Sequence, residues 1–218
     1  AMRIHGANVV GVEMDEEGME LDGLAHAFRT EPNVKLLYVI PTFQNPSGKT
    51  MSLARRKAIY ALCVKYGVMI LEDNPYGELR FRGEDIPTFK SMDDEGIVIY
   101  NGSYSKVLSA GMRIGFVMAQ KDVLQRLTVA KQFSDCHSNI FFQIVTDEWL
   151  RTADVDAHIA KIRKIYRERC DFMLKLLDEH MDKRVTYTRP DGGLFLWCTL
   201  PEGCDSQELA DLALRKGV

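Results

Sequence analysis

The chain has 218 residues, 46% of them hydrophobic and 27% charged, with a formal net charge of −3. That balance is ordinary for a globular protein, and the length suffices for one large core, or for one domain and part of a second. The mild negative charge offers no broad basic field for nucleic acid, and no apolar run approaches the roughly 20 residues that span a bilayer.

The opening Ala1-Met2-Arg3-Ile4-His5 has no signal-peptide core, and an Ala ahead of a Met reads as a cloning remnant. Val34 to Ile40 is a short apolar run ending at Pro41, which predicts a buried strand. Ser52 then opens a helical stretch, with Ala58, Ile59, Leu62, Cys63 and Tyr66 at three- and four-residue steps and Gly67 in the capping position. Val68 to Leu71 is the next strand and runs into Glu72-Asp73; Ile97 to Tyr100 and Ile114 to Met118 follow as two more. Apolar on both faces, these strands predict an α/β fold with a mostly parallel sheet flanked by helices. Polar chemistry then belongs at the carboxyl ends of the strands.

From about Ala153 to Met181 the pattern changes to one amphipathic stripe of Ile159, Ile162, Tyr166, Cys170, Met173 and Leu177. A helix of that length predicts a link between two domains. Val185 to Tyr187 and Leu194 to Cys198 read as strands, and Ser206 to Lys216 as a short helix, the start of a small α+β domain. The expected division is 1–152, 153–182 and 183–218. The sequence stops at Gly217-Val218 without a terminal signal, so the small domain is expected to be cut short.

The five cysteines are scattered and form no C-x-x-C pair, and the five histidines show no metal-binding spacing. Neither a disulfide framework nor a metal site is expected, and idle thiols fit a reducing cytoplasm.

Three segments could carry chemistry. Gly102-Ser103-Tyr104-Ser105-Lys106 lies just past a strand, and a lysine there can serve as a Schiff-base nucleophile. Ser103 and Ser105 supply hydroxyls on a tight turn, and Arg113 adds a guanidinium; together they can cup a phosphate. In Glu72-Asp73-Asn74-Pro75-Tyr76, a carboxylate at the end of a buried strand needs a partner, and a protonated pyridine nitrogen is one. Alternatively, the two acids cap a solvated strand end and Tyr76 packs in the core. Pro41 to Gly48, with Asn45 in it, is by composition a turn.

In this order, Asn45-Pro46-Ser47-Gly48, Asp73-x-x-Tyr76, Ser103-x-Ser105-Lys106 and Arg113-x-Gly115 resemble the signatures of class I/II aminotransferases of fold type I. Glu72 to Phe81 and Gly192 to Trp197 are similar to phrases of the 2-aminoadipate and kynurenine subgroup. The resemblance implies pyridoxal 5′-phosphate as cofactor, joined to Lys106 as a Schiff base, with Lys106 later moving a proton from the substrate's Cα. It implies Asp73 against the pyridine nitrogen, Asn45 and Tyr76 on the ring oxygen, and Ser103, Ser105 and Arg113 on the phosphate. It also implies amino-acid and 2-oxo-acid substrates, a homodimer, and further segments at both ends, including an arginine for the substrate carboxylate. The 218 residues alone are therefore expected to be catalytically weak or inactive. Two other readings use the same motifs: an effector-sensing domain of a GntR-type transcriptional regulator, and a lyase or decarboxylase on the same fold. A third leaves Lys106 as an unused surface lysine.

Overall fold

The computed structural model describes residues 2–217; the expectations attached to Ala1 and Val218 lie outside the described residues. After a small hairpin of β1 (Met14–Asp15) and β2 (Gly18–Met19) comes helix α1 (Leu21–Thr30). The main sheet then forms from β3 (Leu36–Val39), β4 (Met69–Asp73), β5 (Val98–Ser103) and β6 (Gly115–Met118), in that spatial order.

Helix α2 (Leu53–Tyr66) is bounded by the residues that predict it. Ser52 accepts a hydrogen bond from Arg55 N at 3.2 Å, and Gly67 closes the helix at φ 65°, a left-handed conformation that glycine adopts without a Cβ penalty. The helix buries Ile59 and Cys63 against Leu37, Val39, Ile70 and Val98 on one face of the sheet, with Leu24, Val68 and Phe89 completing the core. Each such aliphatic side chain contributes roughly 1.5–3 kcal/mol by leaving water. Burial pushes the Cys63 thiol up to about 12, so it stays protonated and idle.

The sheet is mostly parallel and flanked by helices, as expected, with two qualifications. First, β3–β4 and β4–β5 pair in parallel, but β6 returns antiparallel to β5. The connection at 104–114 holds only turns and the short 3-10 segment Ala110–Met112, and a parallel crossover needs a helix-sized connection. Second, the sheet is not apolar and covered on both faces: β3 alternates exposed and buried residues, and every residue of β6 is exposed.

Beyond the sheet lie α3 (Lys121–Ser134), α4 (Ile140–Thr152), the long α5 (Val155–His180), the two-stranded pair β7 (Thr186–Tyr187) and β8 (Cys198–Thr199), and α6 (Ser206–Arg215). The stripe expected on α5 is partly displaced: Met173 is exposed, while the neighbouring Leu174 is buried. The strand expected over Leu194 to Cys198 shrinks to β8, and the residues just before that run, Asp191 to Gly193, pair with Leu79 to Phe81. Gly192 bridges Arg80, Gly193 N donates to Leu79 O at 3.1 Å, and Phe81 N donates to Asp191 O at 2.9 Å. A Cβ on Gly192 would meet the Phe43 ring at 2.2 Å and Leu79 O at 2.6 Å, so only glycine permits this contact. No helix among the described residues is long and apolar enough to cross a membrane.

Candidate functional site

Sheet alternation separates the two acids at the end of β4. Glu72 points to the α2 side, is fully buried, and accepts from Phe89 N and Lys90 N at 2.9 Å each. Burial pushes its carboxyl above the usual range, against the pull of those amides and of Arg56. It is a structural anchor, and the picture of two acids capping a solvated strand end does not hold for it.

Asp73 lies on the opposite face, half-buried, and both of its oxygens are engaged. Asn101, directly across in β5, donates through Nδ2 to Oδ1 at 2.8 Å. Tyr38 in β3 pairs with Leu71, two residues before Asp73, and its hydroxyl donates to Oδ2 at 2.8 Å. Diagonal neighbours two residues apart on adjacent strands are within an aromatic side chain's reach.

Tyr76 is buried with its ring edge-on to Phe195, centroids 5.3 Å apart. Burial raises its phenol's pKa and the Asp73 charge adds to that, while a hydrogen bond with the Asn45 side chain works the other way. Tyr76 is thus packed in the core with its phenol near Asn45 and Asp73. Asn45 sits on the Pro41–Met51 loop, whose base is clamped by the fully buried Arg56. Its guanidinium donates to Met51 O at 3.1 Å, Pro41 O at 3.0 Å and Thr42 Oγ1 at 2.9 Å, and on the other side to Pro87 O at 3.0 Å. Burial lowers the Arg56 pKa to about 10, so it remains a cation at neutral pH.

The antiparallel return of β6 places Arg113 beside the turn after β5. Ser103 pairs with Gly115; Ser105 N donates to Ser103 Oγ at 3.1 Å, and Arg113 Nη1 donates to Ser105 Oγ at 3.5 Å and to Ala110 O at 3.1 Å. Arg113 itself adopts a left-handed φ of 57°. Lys106 is half-buried inside the turn closed by Leu108 N donating to Tyr104 O at 2.8 Å. The next residue, Val107, is buried against Leu79 and Ile159, and its carbonyl lies 2.8 Å from His158 Nε2, so the start of α5 braces the turn.

The candidate residues therefore form two neighbouring sets: Asp73 with Tyr76 and Asn45, and Ser103 with Ser105 and Arg113. β5 joins them, because Asn101 and Ser103 are two residues apart on one face. Among the described residues, no hydrogen bond or ion pair joins the Lys106 amine to either set. No group of three or more His, Cys, Asp or Glu among the described residues could hold a metal ion. Sequence reasoning missed Tyr38, Asn101 and Arg56. Asn101, polar in an apolar run, was the available signal, but its meaning depends on the strand register.

The family described as aminotransferase class I and II matches residues 1–218. An aromatic-amino-acid aminotransferase of Thermococcus litoralis is 42% identical over the whole chain and 53% of its own length. The solved alpha-aminoadipate aminotransferase of Thermus thermophilus, complexed with N-(5′-phosphopyridoxyl)-L-leucine, superposes with a TM-score of 0.93 at 37% identity; the match covers 99% of this chain and 56% of that one. An uncharacterized HTH-type transcriptional regulator of Bacillus subtilis is 36% identical over 89% of the chain and 40% of its own length. The chain spans about half the length of the curated relatives it matches.

Proposed function

We propose, from the premise that this chain belongs to the class I and II aminotransferases, that the polypeptide carrying it moves an amino group between an α-amino acid and a 2-oxo acid on pyridoxal phosphate held by these residues. The observation that carries the reading is the Asp73 carboxylate, fixed at the end of β4 by the Tyr38 hydroxyl and the Asn101 amide. The donor set fits the cofactor group by group. Each Asp73 oxygen accepts one bond and keeps a further lone pair for a ring N–H. Asn45 and Tyr76 can donate to the ring oxygen, Ser103, Ser105 and Arg113 to the phosphate, and the Lys106 amine can attack the aldehyde.

When bound, pyridoxal phosphate supplies an electron-withdrawing ring that stabilises negative charge at the substrate's Cα. Asp73 would accept from the ring nitrogen, and Lys106 Nζ would be the group placed to receive a proton from the substrate's Cα. Arg113 and the hydroxyls of Ser103 and Ser105 would hold the phosphate. The same reading divides the chain at 1–152, 153–182 and 183–218 and expects a cytoplasmic homodimer.

The test uses the full-length polypeptide loaded with the cofactor. An amino donor should release its 2-oxo acid stoichiometrically as the cofactor passes to its amine form. Release of ammonia or carbon dioxide would move the reading to a lyase or decarboxylase. The likeness to the Bacillus subtilis regulator supports a second reading, in which the bound cofactor is sensed rather than used; tight amino-acid binding with no 2-oxo acid released favours it.

A further inference from the structure

A carboxylate at a strand end facing half-open space would ordinarily rotate freely about its side-chain bonds. Asp73 does not have that freedom, because donors arrive from the strands on both sides of it: Tyr38 from β3 onto Oδ2 and Asn101 from β5 onto Oδ1, each at 2.8 Å. We infer that Tyr38 and Asn101 are positioning residues that fix the Asp73 carboxylate and aim its remaining lone pairs at a cationic ring nitrogen. The inference rests on the reading that Asp73 meets such a nitrogen.

Neither residue has an evident packing reason to carry its polar group. Tyr38 is 44% exposed on an edge strand, so its ring is not needed to fill the core. Asn101 stands in a strand whose other face is apolar, at the one register position opposite Asp73. Two neutral donors suit this purpose better than a cation. A lysine or arginine at either place would neutralise the carboxylate and weaken its hold on a pyridinium, whereas a hydroxyl and an amide stabilise the charge and leave it in place. Tyr38 also stays a donor: burial first, then its bond to Asp73, pushes its phenol well above the ordinary range. The other titratable group facing it is Tyr76, which shifts it the same way. Fixing both oxygens in advance removes the reorientation otherwise needed when the ring arrives.

The test has a cofactor-free arm and a cofactor arm. In the chain without cofactor, carbon NMR of labelled tyrosines follows the Tyr38 phenol, its signal assigned by loss in Tyr38→Phe. Asp73→Asn should bring that titration down toward an ordinary phenol; an unmoved titration overturns the inference. In the second arm, pyridoxal phosphate is titrated into the chain and into Tyr38→Phe, Asn101→Ala and the double variant. Each single substitution should weaken binding about tenfold, since bonds to charged groups are of that strength, and should shift the pH dependence of the bound cofactor's visible band. Binding within twofold and an unchanged band in the double variant would overturn it, provided circular dichroism shows the fold intact. If borohydride fails to attach the cofactor to Lys106 in the unsubstituted chain, the functional reading fails separately. The Tyr38 titration then still decides whether the contact holds Asp73.

Discussion

At the residue scale, buried polar groups are decided by what donates to them. Asp93 is a second case beside Asp73: it accepts from Tyr60 Oη and Ile97 N through Oδ1, and from Lys90 Nζ and Val98 N through Oδ2, at 2.9–3.1 Å. Burial alone would raise its pKa, but the bonds from Lys90, Val98 and Ile97 outweigh it and hold the carboxyl below the usual range. A depressed folded-state pKa gives stability that is present above the unfolded value, about 3.9, and is lost as pH falls through the folded one. Asp93→Asn should therefore cost about 1–3 kcal/mol at pH 7. In urea unfolding, the deficit should hold down to about pH 5 and shrink below about pH 4. A deficit that stays constant to pH 3 contradicts this account of Asp93.

Arg56 makes the larger prediction. Its removal takes a charged donor from each of the carbonyls of Met51, Pro41 and Pro87. Arg56→Met should cost at least about 3 kcal/mol. Because those carbonyls fix the loop that carries Asn45, it should also weaken pyridoxal phosphate binding. Urea unfolding and cofactor titration together read both effects, and loss of stability with unchanged cofactor affinity would confine Arg56 to the core.

At the element scale, what was legible in the sequence was what local chemistry decides. Ser52 and Gly67 bound α2 because a side-chain oxygen satisfies an amide at one end and a left-handed glycine closes the other. The strands leading to Asp73 and Ser103 were legible from their apolar runs, so the strand-end candidates could be named. The direction of β6 was not, because it depends on whether the segment after Lys106 forms a helix. The partners of Asp73 were not, because they depend on register. Helices α3 and α4 were not named from the sequence; they leave Phe133, Phe141 and Ile144 exposed. Gly192 also belongs to this scale, since it joins the segment after α5 to the strand-like residues beyond Tyr76. Gly192→Ala drives a Cβ into the Phe43 ring and Leu79 O. It should cost about 1–3 kcal/mol and disturb the Phe195 edge against Tyr76, which thermal unfolding and cofactor affinity can follow. A neutral Gly192→Ala would mean that this contact does not form in solution.

At the scale of the whole molecule, one face of the sheet is sealed by α2 and the other bears Tyr38, Asp73, Asn101 and Ser103 in half-open surroundings. The proposal assigns cofactor capture to this face and leaves sustained turnover to a polypeptide of the relatives' length, of which this chain spans about half. Steady conversion of an amino acid and 2-oxoglutarate by the 218 residues alone would contradict that division. The most direct measurement is simpler. Pyridoxal phosphate is added to the chain, the mixture is reduced with borohydride, and the modified peptide is located by mass spectrometry. The account predicts a single modified residue, Lys106, and a visible absorption band that vanishes in Lys106→Ala. A label on another lysine, or a band that survives Lys106→Ala, would contradict it.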